Sequence, residues 1–230
     1  MRTHLLRGIA FTLVVGCLTI PAAAQSPRMI LALGSTGFLD AKSIEAATGA
    51  VVKFDMEKSQ PKNFSVVVLA NVAFPALPGP LQQGLAQYVN DGGAVLITGG
   101  SQSFGSGGYQ SIASIIPFQI RSAGDWRFTS FRAPVPLQPG HPVVAGVSFG
   151  PIGSLNDMNP RGDATEILQS AGGGVGGFRY PLIAEVAVGA GRVLGFAFDL
   201  NELAGMRDRD LFIRNTMAYL LSASRITPTK

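Results

Sequence analysis

Apolar residues in this chain fall into short runs that switch between two periods. Residues 29–34 (MILALG) form a continuous apolar run closed by a glycine, which predicts a strand buried on both faces. Residues 35–49 follow with a helical pattern, Asp40 standing where an N-cap belongs and Gly49 where the helix should stop. Two further strands are predicted over 50–55 (AVVKFD) and 64–72 (FSVVVLANV), the second rich in valine. In GPLQQGLAQYVNDGG (79–93), Leu81, Leu85, Tyr88 and Val89 share one helical face, Pro80 sits in the first turn and Asp91-Gly92-Gly93 ends the helix. Residues 94–98 (AVLIT) then read as another buried strand. Such alternation predicts a parallel sheet with helices on both faces.

From Pro117 to Pro160 the pattern loosens into Pro- and Gly-rich chain with short strand candidates such as FTSFRAPV, which predicts an excursion outside the main sheet. ATEILQS (164–170) reads as a strand. Residues 182–188 and 192–199 alternate on either side of Gly189-Ala190-Gly191, which predicts a hairpin. A last helix, over 209–222, presents Phe212, Ile213, Met217 and Leu220.

Composition refines this picture at the amino end. The chain has 230 residues, 47% hydrophobic and 14% charged. Beyond residue 25 no apolar run approaches the ~20 residues of a membrane-spanning helix. The first 24 residues account for part of the apolar excess: Arg2 and Arg7 precede an apolar stretch over 8–20, and Ala22-Ala23-Ala24 closes it. This is the layout of a secretory signal cut before Gln25, leaving residues 25–230 as one domain in the periplasm or medium. Val14-Val15-Gly16-Cys17 offers a lesser alternative, a lipoprotein anchored at Cys17, although the chain stays apolar after that residue. Removal of Arg2 and Arg7 lowers the formal charge from +4 to +2. The remaining cations are scattered and form no stripe with interleaved aromatics, which argues against nucleic acid as a partner. The one cysteine lies in the signal, so neither a disulfide nor a thiolate is available afterwards.

The candidate chemistry centres on the loop after residues 94–98, GGSQSFGSGGY. It has no lysine and lacks the glycine spacing of a phosphate-binding loop. Gly99 and Gly100 are expected at positive φ, with Phe104 and Tyr109 packing the loop onto the body. A serine nucleophile at Ser101 or Ser103 would need His141, the one histidine outside the signal, which sits in a Gly-His-Pro turn suited to a structural role. Arg161-Gly162-Asp163 reads as an ordinary polar turn.

Three stretches in order resemble the class I glutamine amidotransferase-like superfamily: residues 64–100, the SQSFGSGGY loop, and GRVLGFAFDLNE followed by RDLFIRNTMAYL. The loop resembles that of amidotransferase-like domains found in bacterial envelope proteins. The resemblance implies an α/β, flavodoxin-like three-layer sandwich with a mostly parallel central sheet, a C-terminal β-hairpin and a helix. It also implies a catalytic elbow at residues 99–103, where catalytic members place a cysteine, followed later by a His and a Glu. This chain has no cysteine there, and Asp199 and Asn201 stand at the His and Glu positions. The implied protein is an exported domain without the triad and without glutaminase activity or cofactor, acting as a binding or assembly module for a saccharide or an envelope protein. Its candidate cleft comprises Asn71, Gly100, Ser101, Gln102, Ser103, Asp199, Asn201 and Glu202, because ligands in open α/β sheets sit at the carboxyl ends of strands. The alternative is a hydrolase of an envelope carbohydrate or amide that uses Asp199 and Glu202. Asp199 is also placed to cap the turn that follows it.

Overall fold

The computed structural model describes residues 27–54, 60–172 and 178–228. The signal sequence and the Cys17 alternative lie outside the described residues, as does Asp55 at the end of the second predicted strand.

The chain opens with β1 (Met29–Gly34), α1 (Ala41–Thr48) and β2 (Val51–Lys53), then β3 (Val66–Ala70), α2 (Gly79–Asn90) and β4 (Ala94–Thr98). Strands β1 and β3 pair in parallel, and so do β1 with β2 and β3 with β4. Both faces of β1, β3 and β4 are buried. Along β3, Val66, Val68 and Ala70 join one core while Val67 and Leu69 join the other, and β4 alternates likewise. Continuous apolar runs become strands here because two helical layers cover the sheet. Ile44 of α1 enters the first core, and Leu81, Leu85, Tyr88 and Val89 of α2 enter the second. At roughly 1.5–3 kcal/mol for each buried large side chain, these residues hold the layers together.

Local caps set the first helix. Asp40 accepts from the Lys42 amide at 3.1 Å, and Gly49 closes the helix in the left-handed region at φ 68° with its N–H on the Glu45 carbonyl. Glycine occupies that conformation at no steric cost.

The middle of the chain supplies β5 (Phe118–Gln119), β6 (Trp126–Arg132), β7 (Pro134–Pro136), β8 (Ile152–Asn156) and β9 (Asn159–Pro160). β5 pairs with β9 and β6 with β8 in two small antiparallel ribbons, so most of the excursion does lie outside the main sheet. β7 is the exception. FTSFRAPV is not one strand: it breaks at Ala133, and β7 continues as the edge of the main sheet. Its ladder pairs Pro136 with Leu168 and Pro134 with Ser170. Proline is tolerated at such an edge because no further strand needs its missing N–H.

The chain returns through β10 (Thr165–Ser170), β11 (Pro181–Val188), β12 (Gly191–Phe196) and α3 (Arg209–Ala223). The eight-stranded sheet runs β2-β1-β3-β4-β12-β11-β10-β7. Its first five positions are parallel and follow the flavodoxin-like order 2-1-3-4-5, and the last three add an antiparallel extension. The expected hairpin is β11–β12, with Gly189 at φ 57° in its turn. α3 buries Phe212, Ile213, Met217 and Leu220 in the same core as α1. Parallel pairing of β12 with β4 carries the carboxyl ends of β3, β4 and β12 to one edge of the sheet.

Candidate functional site

That shared edge brings Asn71, the 99–103 loop and Asp199 together, as the sequence predicts. Asn71 follows β3, adopts φ 43° and points its amide across the edge. A short polar side chain tolerates this left-handed conformation better than a bulky one. Its Nδ2 donates to Asp199 Oδ2 at 2.5 Å, and its Oδ1 accepts from the Gln102 amide at 2.8 Å.

Asp199 is buried, with 6% exposure. It is the N-cap of the 3₁₀ turn Leu200–Leu203, and its Oδ1 accepts from the Asn201 amide at 2.9 Å. Burial pushes its carboxyl above the ordinary aspartate value. The hydrogen bonds from Asn201 and Asn71 oppose that shift, and the nearby charge of Glu202 adds to it. Glu202 accepts from the Gly153 amide at 2.7 Å and from the Ser154 hydroxyl. Both carboxylates of the hydrolase alternative are thus engaged in holding backbone.

The loop is equally occupied. The Gly100 amide donates to Asn156 Oδ1 at 2.8 Å, the Gln102 amide to Asn71, and the Ser103 amide to the Gly100 carbonyl at 3.2 Å. Three of the four amides from Gly100 to Ser103 are therefore already bonded within the protein. Asn156 and Asp125 are both fully buried. Asn156 Nδ2 donates to Asp125 Oδ1 at 2.9 Å, and Asp125 also accepts from the amides of Gly105 at 3.0 Å and Ser106 at 2.9 Å. Sequence reasoning missed both residues. They come from the excursion, where no periodic pattern marks a buried polar side chain.

The glycines of the elbow serve two different ends. Gly100 sits at φ 138°, where an added Cβ would also meet the Asn71 amide at 2.1 Å. Gly99, expected at positive φ, is not in that region. It is needed because a Cβ would stand 2.3 Å from the Ala197 carbonyl oxygen. Phe104 and Tyr109 are fully buried as expected, and Phe104 makes an edge contact with Phe118 at 5.6 Å between ring centroids. Ser103 is buried, whereas Ser101, Gln102 and Asn201 are exposed. Beside Asn201 and Glu202 lies a groove of about 350 Å3, walled by Gly150, Pro151, Gly205 and Met206.

His141 is elsewhere. Its Nδ1 accepts from the Val143 amide at 3.3 Å, which leaves the proton on Nε2, 3.6 Å from Glu185 Oε1. Its ring meets Tyr219 edge-on at 4.7 Å, and Arg192 holds the same Glu185 oxygen at 2.8 Å. No hydrogen bond or ion pair joins this cluster to Ser101 or Ser103 among the described residues, so a serine–histidine pair is not formed. In Arg161-Gly162-Asp163 the guanidinium grips the aspartate through Nε at 2.5 Å and NH2 at 2.9 Å, a closed polar turn.

Solved structures share this architecture. A cytoplasmic protein of Salmonella typhimurium LT2 superposes with a TM-score of 0.67 at 16% identity, over 86% of this chain and 100% of its own. A ThuA-like protein of Parabacteroides merdae gives 0.59 at 13% identity, over 89% of this chain and 93% of its own. The β-galactosidase of Bacillus circulans sp. alkalophilus gives 0.58 at 13% identity, over 89% of this chain but 32% of that enzyme. No protein-family model and no curated protein matches by sequence. At these identities the likeness establishes the fold. ThuA-like proteins have the class I glutamine amidotransferase-like fold, which agrees with the sequence resemblance. Groups of three or more His, Cys, Asp or Glu able to hold a metal are absent among the described residues.

Proposed function

We propose that this chain is an exported binding or assembly module of the bacterial envelope, built on the amidotransferase-like fold and without glutaminase chemistry. One observation carries the reading. At the sheet edge where catalysis would be assembled, the candidate acid, base and elbow groups hold one another: Asn156 and Asn71 take elbow amides, Asp199 caps a turn and Glu202 holds β8, while the buried hydroxyls of Thr98 and Ser103 have no hydrogen-bond partner among the described residues. A nucleophile needs a base within hydrogen-bond reach and free donors for the developing oxyanion. Here three of the four elbow amides are spent, and the residue at the base position is a carboxylate that caps a turn.

What remains open to a ligand is the groove beside Asn201 and Glu202, with Ser101 and Gln102 exposed nearby. An amide, a carboxylate with spare lone pairs and a hydroxyl suit a neutral, hydroxyl-rich ligand such as a saccharide, whereas the two carboxylates would repel a phosphate. Export rests on the layout of residues 1–24. The Salmonella neighbour is a cytoplasmic protein, but fold likeness does not carry a compartment.

Two measurements on the mature chain test the reading. Incubation with glutamine should release no glutamate above a buffer blank; release that is lost on Ser101→Ala would overturn it. Saccharide binding should be weakened by Asn201→Ala and blocked by Gly205→Trp, since a Cβ at Gly205 meets nothing within 4 Å and a larger side chain can fill the groove. Saccharide hydrolysis lost on Asp199→Asn would replace the binding module with the hydrolase.

A further inference from the structure

A second groove, of about 290 Å3, opens between the chain leaving β8 and the chain entering β11. Arg121, Asp157, Phe178, Arg179 and Tyr180 line it, and it shares no lining residue with the groove at Asn201. Nothing in the reading above uses it.

Its charges are unequal. Asp157 is already held twice, by Arg121 NH2 at 2.5 Å and Arg127 Nε at 3.0 Å. Arg179 is exposed and makes no ion pair among the described residues. Two guanidiniums against one carboxylate in the lining leave an excess of one positive charge, and Arg127 neutralises Asp157 from outside it. Aromatic surface accompanies that charge: Phe178 is 68% exposed and Tyr180 is partly buried. The Tyr180 backbone is pinned on both sides, its amide donating to Ser170 Oγ at 2.9 Å and its carbonyl accepting from the Ser170 amide at 2.8 Å. The Tyr180 part of the lining is thus tied to β10, and the Arg121–Asp157 pair supplies another part.

We propose that this groove binds a carboxylate-bearing saccharide, a chain containing uronic acid. Aromatic rings pack against the apolar face of a pyranose, and a guanidinium takes a carboxylate in a two-point fork. A neutral sugar could lie on the exposed aromatic surface but would leave Arg179 without a counter-charge. Inorganic phosphate would satisfy the charge and leave the rings unused. The proposal stands independently of the groove at Asn201, and the two are separated by their variants.

Native gels cast with polygalacturonate, or with neutral dextran, test it on the mature chain. In the Gly205→Trp background, which closes the groove at Asn201, retardation is expected in polygalacturonate alone. Arg179→Ala should weaken it at least tenfold, Arg179→Lys should restore only part of the loss, and Phe178→Ala should weaken it as well. Arg179 and Phe178 are exposed, so the variants should melt with the parent, which a thermal scan confirms before the gels are read. Equal retardation of the Gly205→Trp chain in dextran would overturn the proposal. So would undiminished retardation of the Arg179→Ala/Phe178→Ala double variant, or complete release by equimolar inorganic phosphate.

Discussion

Asn71 donates its side-chain amide to the Asp199 carboxylate at 2.5 Å, joining residues 128 positions apart in the chain. The same Asn71 holds the Gln102 amide, so the ends of β3, β4 and β12 are tied by two side chains. The carboxylate that the motif resemblance aligns with a catalytic histidine thus fastens the sheet edge.

Asp199→Ala removes the acceptor of the Asn201 amide and strands the Asn71 amide in a half-buried site. Loss of a cap and of a charged hydrogen-bond acceptor should cost about 1–3 kcal/mol. Thermal denaturation should show a fall of several degrees in Tm. An unchanged Tm would mean that the carboxylate is not structural and would return it to the ligand.

Gly100→Ala should be poorly tolerated, since φ is 138° and the new Cβ would collide with the Asn71 amide. Asn71→Gly keeps the left-handed turn and removes the obstacle. In a double-mutant cycle the Gly100→Ala penalty should therefore be smaller in the Asn71→Gly background by more than about 0.5 kcal/mol, the limit expected for independent sites. Additive penalties from urea denaturation would refute the contact.

Asp125→Ala leaves the Gly105 and Ser106 amides and the Asn156 amide group without their acceptor in a buried site. Each unsatisfied buried group costs about 1–3 kcal/mol. The variant should be strongly destabilised, and amide exchange over 100–109 should accelerate more than exchange in β1 or β3. Uniform acceleration would mean that Asp125 acts on global stability and not on the loop.

His141 has a sign that can be measured. Burial lowers its pKa from 6.5, Glu185 opposes that shift and Arg192 reinforces it. The folded state therefore binds the proton less readily than the unfolded chain. The stability linked to this group is complete above pH 6.5 and is lost as the pH falls through the lower, folded value. The Tm of the parent should drop over that acid window more steeply than that of His141→Gln. Superimposable profiles would show that His141 does not titrate differently on folding.

Intact mass of material recovered from the periplasm or medium should correspond to a chain beginning at Gln25. A diacylated chain beginning at Cys17 would establish the anchored alternative, and an exported chain that retains Met1 would overturn both.

The sequence by itself determined what neighbouring residues decide. Strands β1, β3 and β4 were legible because residues buried on both faces must be apolar without interruption. Helix α2 was legible because Leu81, Leu85, Tyr88 and Val89 recur at helical spacing, and α1 because Asp40 and Gly49 act within a few residues of themselves. The order of these elements, with the motif resemblance, was enough for the sheet and its edge. Only the tertiary structure decided what the edge does. Asn156 lies 56 residues from Gly100, and Asp125 lies 20 from Gly105. A hydrogen bond between distant segments leaves no period in either. The small ribbons of the excursion were illegible for the same reason, since two- and seven-residue strands take their pairing from a partner far along the chain. Ser101, Asp199 and Asn201 were found because they flank strong strands. Whether their polar groups face a ligand or one another depends on which side chains fold in beside them, and in this chain Asn71, Asp125 and Asn156 fill those places.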